Sequence, residues 1–345
     1  MYKFTLFTYY LIVYFASYFA IVSYLVEGSK PVLQGTVEAL FVDRSQVIYP
    51  GACKVINSTA RQLKICRKDP GLQIVLSTAK SQAIEACEQY FQYDRWNCSL
   101  VFNGKEKKSI FNKIYRETAF VHALVAASLS HAIAKGCASG DLYRCSCLRT
   151  RRKYNTTQLK SGRCGDDFKY AKRLVKNFLD VKQVSSDAVA EILKQDVLIG
   201  IDSIGEHLKE VCKCHGFSGS CTTKTCWKRL TPFSSVMGLL KKHYHHAIKK
   251  KIVTSPAKSP SPARIKIRLE RERNKLIYVQ RTPNLCVSTK GRVCKDRNNC
   301  ATLCCGRGFT VSKKTISKRC RCKMENCCFV SCDMCVEEVD VFTCK

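Results

Sequence analysis

Cys212-Lys213-Cys214-His215-Gly216-Phe217-Ser218-Gly219-Ser220-Cys221, continued by Thr222-Thr223-Lys224-Thr225-Cys226, decides how this chain folds. Alternate residues of a strand share a face, so Cys212 and Cys214 point the same way. They suit bonds to an opposing strand better than a bond to each other. Cys221 and Cys226 lie just downstream, which gives a hairpin stapled by Cys214–Cys221 and Cys212–Cys226. Its tip is His215-Gly216-Phe217-Ser218-Gly219-Ser220. The glycines around Ser218 permit positive φ and leave little side-chain cover. The hydroxyl of Ser218 is therefore held out on a rigid stalk, where another protein can modify or bind it. A polar residue chosen only to turn tightly fits the same spacing.

The thiols set the compartment. The chain has 345 residues and 24 cysteines, a density that belongs to secreted proteins rather than a reducing cytosol. Lys3 is followed by an uncharged, largely apolar run from Phe4 to Val26, with Gly28 as a small residue at a cleavage end. Residues 1–28 are expected to be a secretory signal peptide. An uncleaved membrane anchor is the competing reading, since the run is long enough to span a bilayer. Three sequons suit export and nominate Asn57, Asn97 and Asn155 for glycosylation. The balance of 59 basic against 27 acidic residues gives +32, densest over residues 241–275. Export and the lack of any zinc-finger or aromatic-basic RNA motif argue against nucleic acid. Heparan sulfate and anionic lipid surfaces are the polyanions outside the cell, and weak, salt-sensitive attraction to them is expected.

Cysteine spacing divides the molecule. Residues 286–345 hold twelve cysteines and the other twelve are spread over residues 53–226. Sixty residues bury little apolar surface, and six bridges at ~2–4 kcal/mol each, not simply additive, offset that. The first region carries helical stripes: Leu72, Val75, Leu76, Ala79, Ala83 and Ala86; then Ile114, Val121, Leu124, Val125, Ser128 and Ala132. Asp166-Asp167 opens a third helix along Phe168, Ala171, Val175, Phe178 and Leu179. A fourth is predicted over 186–211, ending on Leu208 and Val211. Thr231-Pro232 starts a fifth, with Phe233, Val236, Met237, Leu240 and Ala247 on its buried side. The Pro/Ser-rich stretch 254–262 is a linker. Alternation at Ile265, Ile267, Leu269 and then Leu276, Tyr278 predicts a short hairpin after it.

Facing residues of an antiparallel hairpin have nearly constant index sums. Cys320–Cys335, Cys322–Cys332 and the adjacent pair Cys327–Cys328 satisfy that to within one residue, and a bulge on the second strand accounts for the mismatch. These spacings predict a long two-stranded finger riveted by cross-strand bridges. The expected architecture is α+β and disulfide-rich. A helical N-terminal domain (29–250) projects the stapled hairpin 212–226, a basic linker with a short hairpin covers 251–275, and a small cystine-rich β-hairpin C-terminal domain covers 276–345.

Rival chemistries fit poorly. Cys212, Cys214 and His215, or His243, His245 and His246, offer zinc-ligand types, but structural zinc sites favour C-x₂₋₄-C knuckles and only Cys332-Asp333-Met334-Cys335 has a two-residue gap. No metal is expected. The three histidines are expected as a solvated cluster suited to a helix C-terminus. Gly216-Phe217-Ser218-Gly219-Ser220 begins like a nucleophile elbow, but Ser220 replaces the second glycine and no βαβ pattern surrounds it. No enzyme activity and no cofactor are expected.

The chain resembles the Wnt family of secreted signalling glycoproteins. The resemblance is carried by Cys212 to Cys221 with Lys224-Thr225-Cys226-Trp227, by Arg95-Trp96-Asn97-Cys98-Ser99, Arg116-Glu117-Thr118-Ala119-Phe120, Leu303-Cys304-Cys305-Gly306-Arg307-Gly308 and Cys320-Arg321-Cys322. It implies a hairpin "thumb" and a C-terminal "index finger". It places a palmitoleoyl chain on Ser218, added by the acyltransferase Porcupine, carried by Wntless and received by the cysteine-rich domain of a Frizzled receptor. His215, Gly216, Phe217, Ser218 and Gly219 would contact that domain at one side. Met324, Glu325, Asn326, Cys327, Cys328, Phe329 and Val330 would contact it at the other. A co-receptor related to the low-density-lipoprotein receptor completes the implied complex, in the extracellular space and matrix. The resemblance also implies Cys87–Cys98, Cys137–Cys145, Cys147–Cys164, Cys286–Cys305, Cys294–Cys300 and Cys304–Cys344, which leaves Cys53–Cys66. Phe217 stands where the family usually has an aliphatic residue, and Asn326 where an aromatic is common. The alternative is a disulfide-rich matrix or polyanion binder, or an antagonist, with Ser218 unmodified.

Overall fold

The structure, a computed structural model, describes residues 32–42, 59–102, 108–145, 165–181, 188–251, 272, 274–325 and 329–345. In chain order the elements are α1 (Val32–Val42), α2 (Ala60–Lys68), α3 (Leu72–Phe91), β1 (Val101–Phe102), β2 (Lys108–Ser109), α4 (Arg116–Ser139), α5 (Phe168–Phe178) and α6 (Ala188–Gly205). Then follow β3 (Leu208–Cys214), β4 (Lys224–Leu230), α7 (Phe233–His245), β5 (Ile248–Lys249), β6 (Ile277–Tyr278), β7 (Val293–Cys294), α8 (Arg297–Leu303), β8 (Phe309–Glu325) and β9 (Phe329–Cys344).

Helix α4 is the axis of the helical body. Every residue from Glu117 to Ala134 is buried, so its apolar residues do not form the single stripe expected from the sequence. A helix wrapped on all sides needs no polar face. Its length and apolarity would also suit a membrane span, but 94% of that window is covered by its neighbours. Gly200 on α6 lets that helix lie against α4, since a Cβ there would meet the Ala123 carbonyl oxygen at 2.0 Å. On the α3 side, the Ser128 hydroxyl donates to the Ala79 carbonyl at 2.5 Å. Phe91, Trp96, Phe120 and Tyr244 form an aromatic knot, with Phe91 and Phe120 centroids 4.9 Å apart. Buried Glu117 accepts from Tyr244 at 2.8 Å and from Thr282 at 2.6 Å, and so pins α7 and the segment after β6 onto α4.

Three expectations need correction. The fourth helix stops at Gly205, not at 211, and Leu208 to Cys214 is strand β3. Leu208 and Val211 continue the helical stripe by coincidence; pairing with β4, from Leu208↔Leu230 to Cys214↔Lys224, decides their state. Ala247 lies past the end of α7 at His245. Ile277–Tyr278 pairs in parallel with Ile248–Lys249 instead of closing a local hairpin. Residues 265–269 lie outside the described residues. Leu276 and Ile277 are fully buried in the helical core, and buried Asp196 accepts from the Ile277 amide at 2.9 Å. Burial is the main influence on that carboxyl and drives its pKa well above the usual range.

Two outcomes are expected. Gly200→Ala forces α6 away from α4, and overpacking of this kind costs about 1–3 kcal/mol; thermal unfolding should show the loss. His122, wholly buried, is held down to about 4 by desolvation, partly opposed by its hydrogen bond to Thr118. An unfolded histidine titrates near 6.5, so the folded pKa is the depressed one. Its contribution is present above pH ~6.5 and is lost as pH falls towards 4. The loss is about 3 kcal/mol, and His122→Phe should flatten that part of the stability–pH curve.

Candidate functional site

Two cystine-braced ribbons leave the body, and each ends in an exposed tip. The thumb is β3–β4. Cys212 faces Cys226 directly in the ladder, with Cα atoms 4.1 Å apart. Cys214 is bonded to Cys221, which lies beyond the ladder in the loop, at 4.6 Å between Cα atoms. The His215 amide donates to Thr223 O at 2.7 Å just beyond that ring, and inside it Gly216 donates to Ser220 O at 2.8 Å and Ser220 to Phe217 O at 3.1 Å. The loop is thus closed by its own backbone.

Positive φ falls on Ser218 (55°) and Gly219 (77°). A serine in the left-handed region is uncommon and is held there by its surroundings. Gly216, at φ −70°, is needed for a different reason: a Cβ would lie 2.1 Å from Ser220 Oγ and 2.3 Å from Thr222 Oγ1. Ser218 is exposed, and Phe217 beside it is 95% exposed. A hydroxyl and an aromatic ring therefore stand together in solvent on a stalk closed by a cystine.

The stalk is seated at its root. Asp166, buried, takes the Leu230 amide at 2.5 Å and Lys135 Nζ at 2.8 Å on one carboxylate oxygen. Its own amide donates to Lys228 O at 2.9 Å. Gly165 allows the close approach, since a Cβ would meet Lys228 O at 2.7 Å. His131 Nε2 lies 3.1 Å from Thr231 O. From sequence, Asp166 was only half of a helix start; Asp167 is the cap, accepting from the Tyr170 amide at 2.9 Å. Between the thumb and helices α3 and α4 runs an open groove of about 1010 Å³, lined on the thumb side by Lys213, His215, Trp227 and Arg229.

The finger is β8–β9, paired from Phe309↔Cys344 to Glu325↔Phe329. Cys322–Cys332 crosses it with Cα atoms 4.0 Å apart, and Cys320–Cys335 crosses diagonally, because Cys320 pairs with Asp333. The register slips between Cys320 and Lys323, where the partner strand advances by two residues against three. The extra residue is therefore on the first strand, not the second as expected, and Arg321 there has φ 47°. Strand β8 is basic (Lys313, Lys314, Lys318, Arg319, Arg321, Lys323) and β9 acidic (Asp333, Glu337, Glu338, Asp340). Lys313–Glu338 at 3.2 Å and Lys318–Glu337 pair across them. Met324, Phe329 and Val330 are 73%, 73% and 64% exposed, and Glu325 is exposed too. Asn326, Cys327 and Cys328 lie outside the described residues.

Root cystines differ from these. Cys87–Cys98, Cys137–Cys145, Cys286–Cys305, Cys294–Cys300 and Cys304–Cys344 are formed. Cys66 is disulfide-bonded, whereas Cys53 and the pair Cys147–Cys164 lie outside the described residues. The sulfurs of Cys294, Cys300 and Cys304 lie together because two bridges stack there, with Cys294 Sγ 3.5 Å from Cys304 Sγ and 3.8 Å from Cys344 Sγ. All are oxidised, so none is a thiolate that a metal would require. His243 is half-buried, and desolvation lowers its pKa against the opposing pull of Glu206. His245 and His246 are exposed at the helix end, as expected. Asn97 is exposed next to bonded Cys98; Asn57 and Asn155 lie outside the described residues.

Two covalently braced tips on a helical body define a protein that presents surfaces for recognition. A family model described as the wnt family matches residues 54–345. Protein Wnt-4 of Drosophila melanogaster is 40% identical over 320 residues, covering 90% of this chain and 58% of its own length. Protein Wnt-9b of Mus musculus is 34% identical over 85% of this chain and 84% of its own. A chain in the solved complex of human WLS with WNT8A matches with TM-score 0.54 and 28% identity, over 80% of this chain and 93% of that one. The chain belongs to the Wnt family, whose members are secreted signalling ligands and not enzymes.

Gly216→Ala should loosen the tip without unfolding the body. The amides of Gly216 and Ser220 are expected to exchange with solvent at least about tenfold faster, with little change in melting temperature.

Proposed function

We propose that this chain is a secreted ligand acylated on Ser218 that binds the cysteine-rich domain of a Frizzled-type receptor with thumb and finger together. The observation that carries the reading is the thumb tip, where an exposed serine is held in the left-handed region beside an exposed Phe217. A hydroxyl so presented can enter the active site of an acyltransferase, Porcupine in this reading, without unfolding the loop. The product is a palmitoleoyl ester. Burying about a dozen methylenes is worth up to ~10 kcal/mol gross at ~0.8 each. The same chain left in water is unfavourable by a similar amount, which calls for a carrier such as Wntless. The likeness to a chain of the WLS–WNT8A complex supports that step.

Met324, Phe329 and Val330 supply the second contact, an apolar tip with Glu325 at its edge. His215, Gly216, Phe217 and Gly219 flank the lipid at the first. A co-receptor related to the low-density-lipoprotein receptor is the second protein brought into the complex. The net charge of +32 favours retention on heparan sulfate in the extracellular matrix. N-glycans on Asn57, Asn97 and Asn155 complete the mature form.

Mass spectrometry of the tryptic peptide 214–224 after reduction should show the added mass of one monounsaturated sixteen-carbon acyl group on Ser218. Ser218→Ala should reach the medium poorly and fail to signal. Normal signalling by that variant, or an unmodified peptide from active ligand, overturns the acyl mechanism. It would leave the matrix-binding or antagonist reading, with Ser218 unmodified.

A further inference from the structure

The finger root and the helical body have separate interiors, and they are joined by the connecting chain, the Cys286–Cys305 bridge and hydrogen bonds. The core of the body extends along the chain through Leu276, Ile277 and, at its edge, Leu285. A separate cluster, Cys294, Cys300, Leu303, Cys304 and Cys344 with Phe309 and Phe342, holds the finger root. Polar joints of this kind leave relative motion as the default unless something fixes them.

The turn that follows α3 supplies that fixation. Arg292, next to β7, donates through one guanidinium nitrogen to Arg95 O at 2.9 Å and through the other to Gln92 O at 2.7 Å. Asn299 Nδ2 donates to Tyr93 O at 3.1 Å. In return, Arg95 Nε donates to Thr302 O at 2.8 Å. Four side-chain donors thus grip four backbone carbonyls across the joint. Both sides are braced: the turn lies between α3 and the Cys87–Cys98 bridge, and Arg292 precedes Cys294, bridged to Cys300 and paired with Phe342 of β9. Towards the thumb, Tyr90 Oη donates to Ser234 O at 2.5 Å and Lys241 Nζ to Tyr90 O at 2.6 Å, which ties the end of α3 to α7, the helix that follows β4.

We propose that Arg292 is the positioning residue of a clasp that sets the distance between thumb and finger. The planar fork meets the two carbonyls with two nitrogens at a fixed spacing, whereas lysine offers one nitrogen on a flexible stem and holds the pair less firmly. The consequence for binding rests on the reading above, in which both tips engage one receptor domain. With the gap fixed, the second tip meets its site at high effective concentration; with the gap loose, that advantage is lost.

The test uses the full-length acylated ligand, carrying spin labels on non-natural side chains at Thr222 and Ser331, in wild type, Arg292→Lys, Arg292→Ala and Asn299→Ala. Pulsed electron resonance should give one narrow distance distribution for wild type. It should be broad for both Arg292 variants and intermediate for Asn299→Ala. Affinity for the isolated cysteine-rich domain should fall by about tenfold or more in the Arg292 variants, with Ser218 acyl occupancy unchanged. A distribution in folded Arg292→Ala as narrow as that of wild type overturns the clasp. Should Ser218→Ala and Phe329→Ala fail to weaken wild-type binding, the two-tip reading fails instead, and the distance distributions still decide the role of Arg292.

Discussion

A ribbon two strands wide has no inside. Neither face of the thumb or the finger can bury apolar surface against a second layer, and an isolated two-stranded hairpin is marginal in water. Cystines substitute for the missing core. They sit where the ladder needs them: Cys212–Cys226 within the β3–β4 register, Cys214–Cys221 closing the loop, and the pair Cys320–Cys335 and Cys322–Cys332 on either side of the bulge at Arg321. The body supports them by ordinary means. Helix α4 is enclosed by its neighbours, and Asp166 fixes the thumb root through one carboxylate. Rigidity at the tips is thus inherited from covalent bonds, and orientation from a few buried charges and amides.

That division explains what could be read from residues alone. The thumb and the finger were legible because cysteines two apart share a strand face, and because facing partners keep a constant index sum. The stripes of α3, α5 and α7 were legible because each buries one side. Less visible features depended on distant partners. Leu208 and Val211 fit a helical period as well as a strand, and only β4 settles it. Leu276 and Tyr278 alternate like a hairpin arm, but Ile277 and Tyr278 pair in parallel with Ile248 and Lys249. The bulge could be counted but fell to the wrong strand, since the index sums took Cys320 and Cys335 as facing, whereas Cys320 faces Asp333 and its bridge runs diagonally.

At the site, the exposure of Ser218 and the handedness of Gly219 were legible while the reason for Gly216 was not. Gly219 serves backbone handedness, whereas Gly216 serves contact with Ser220 and Thr222. Arg292 left no mark in the sequence, because its partners are backbone carbonyls, which every residue carries.

Solvent access separates the cystines into two populations. Cys212, Cys221 and Cys322 are exposed, while Cys87, Cys294, Cys300, Cys304 and Cys344 are sealed in the interior. Thiol–disulfide exchange requires an attacking thiolate to reach sulfur. A mild extracellular reductant therefore opens the outer set first. Such an agent reaches the braces of both tips while the bridges buried in the body stay out of its reach.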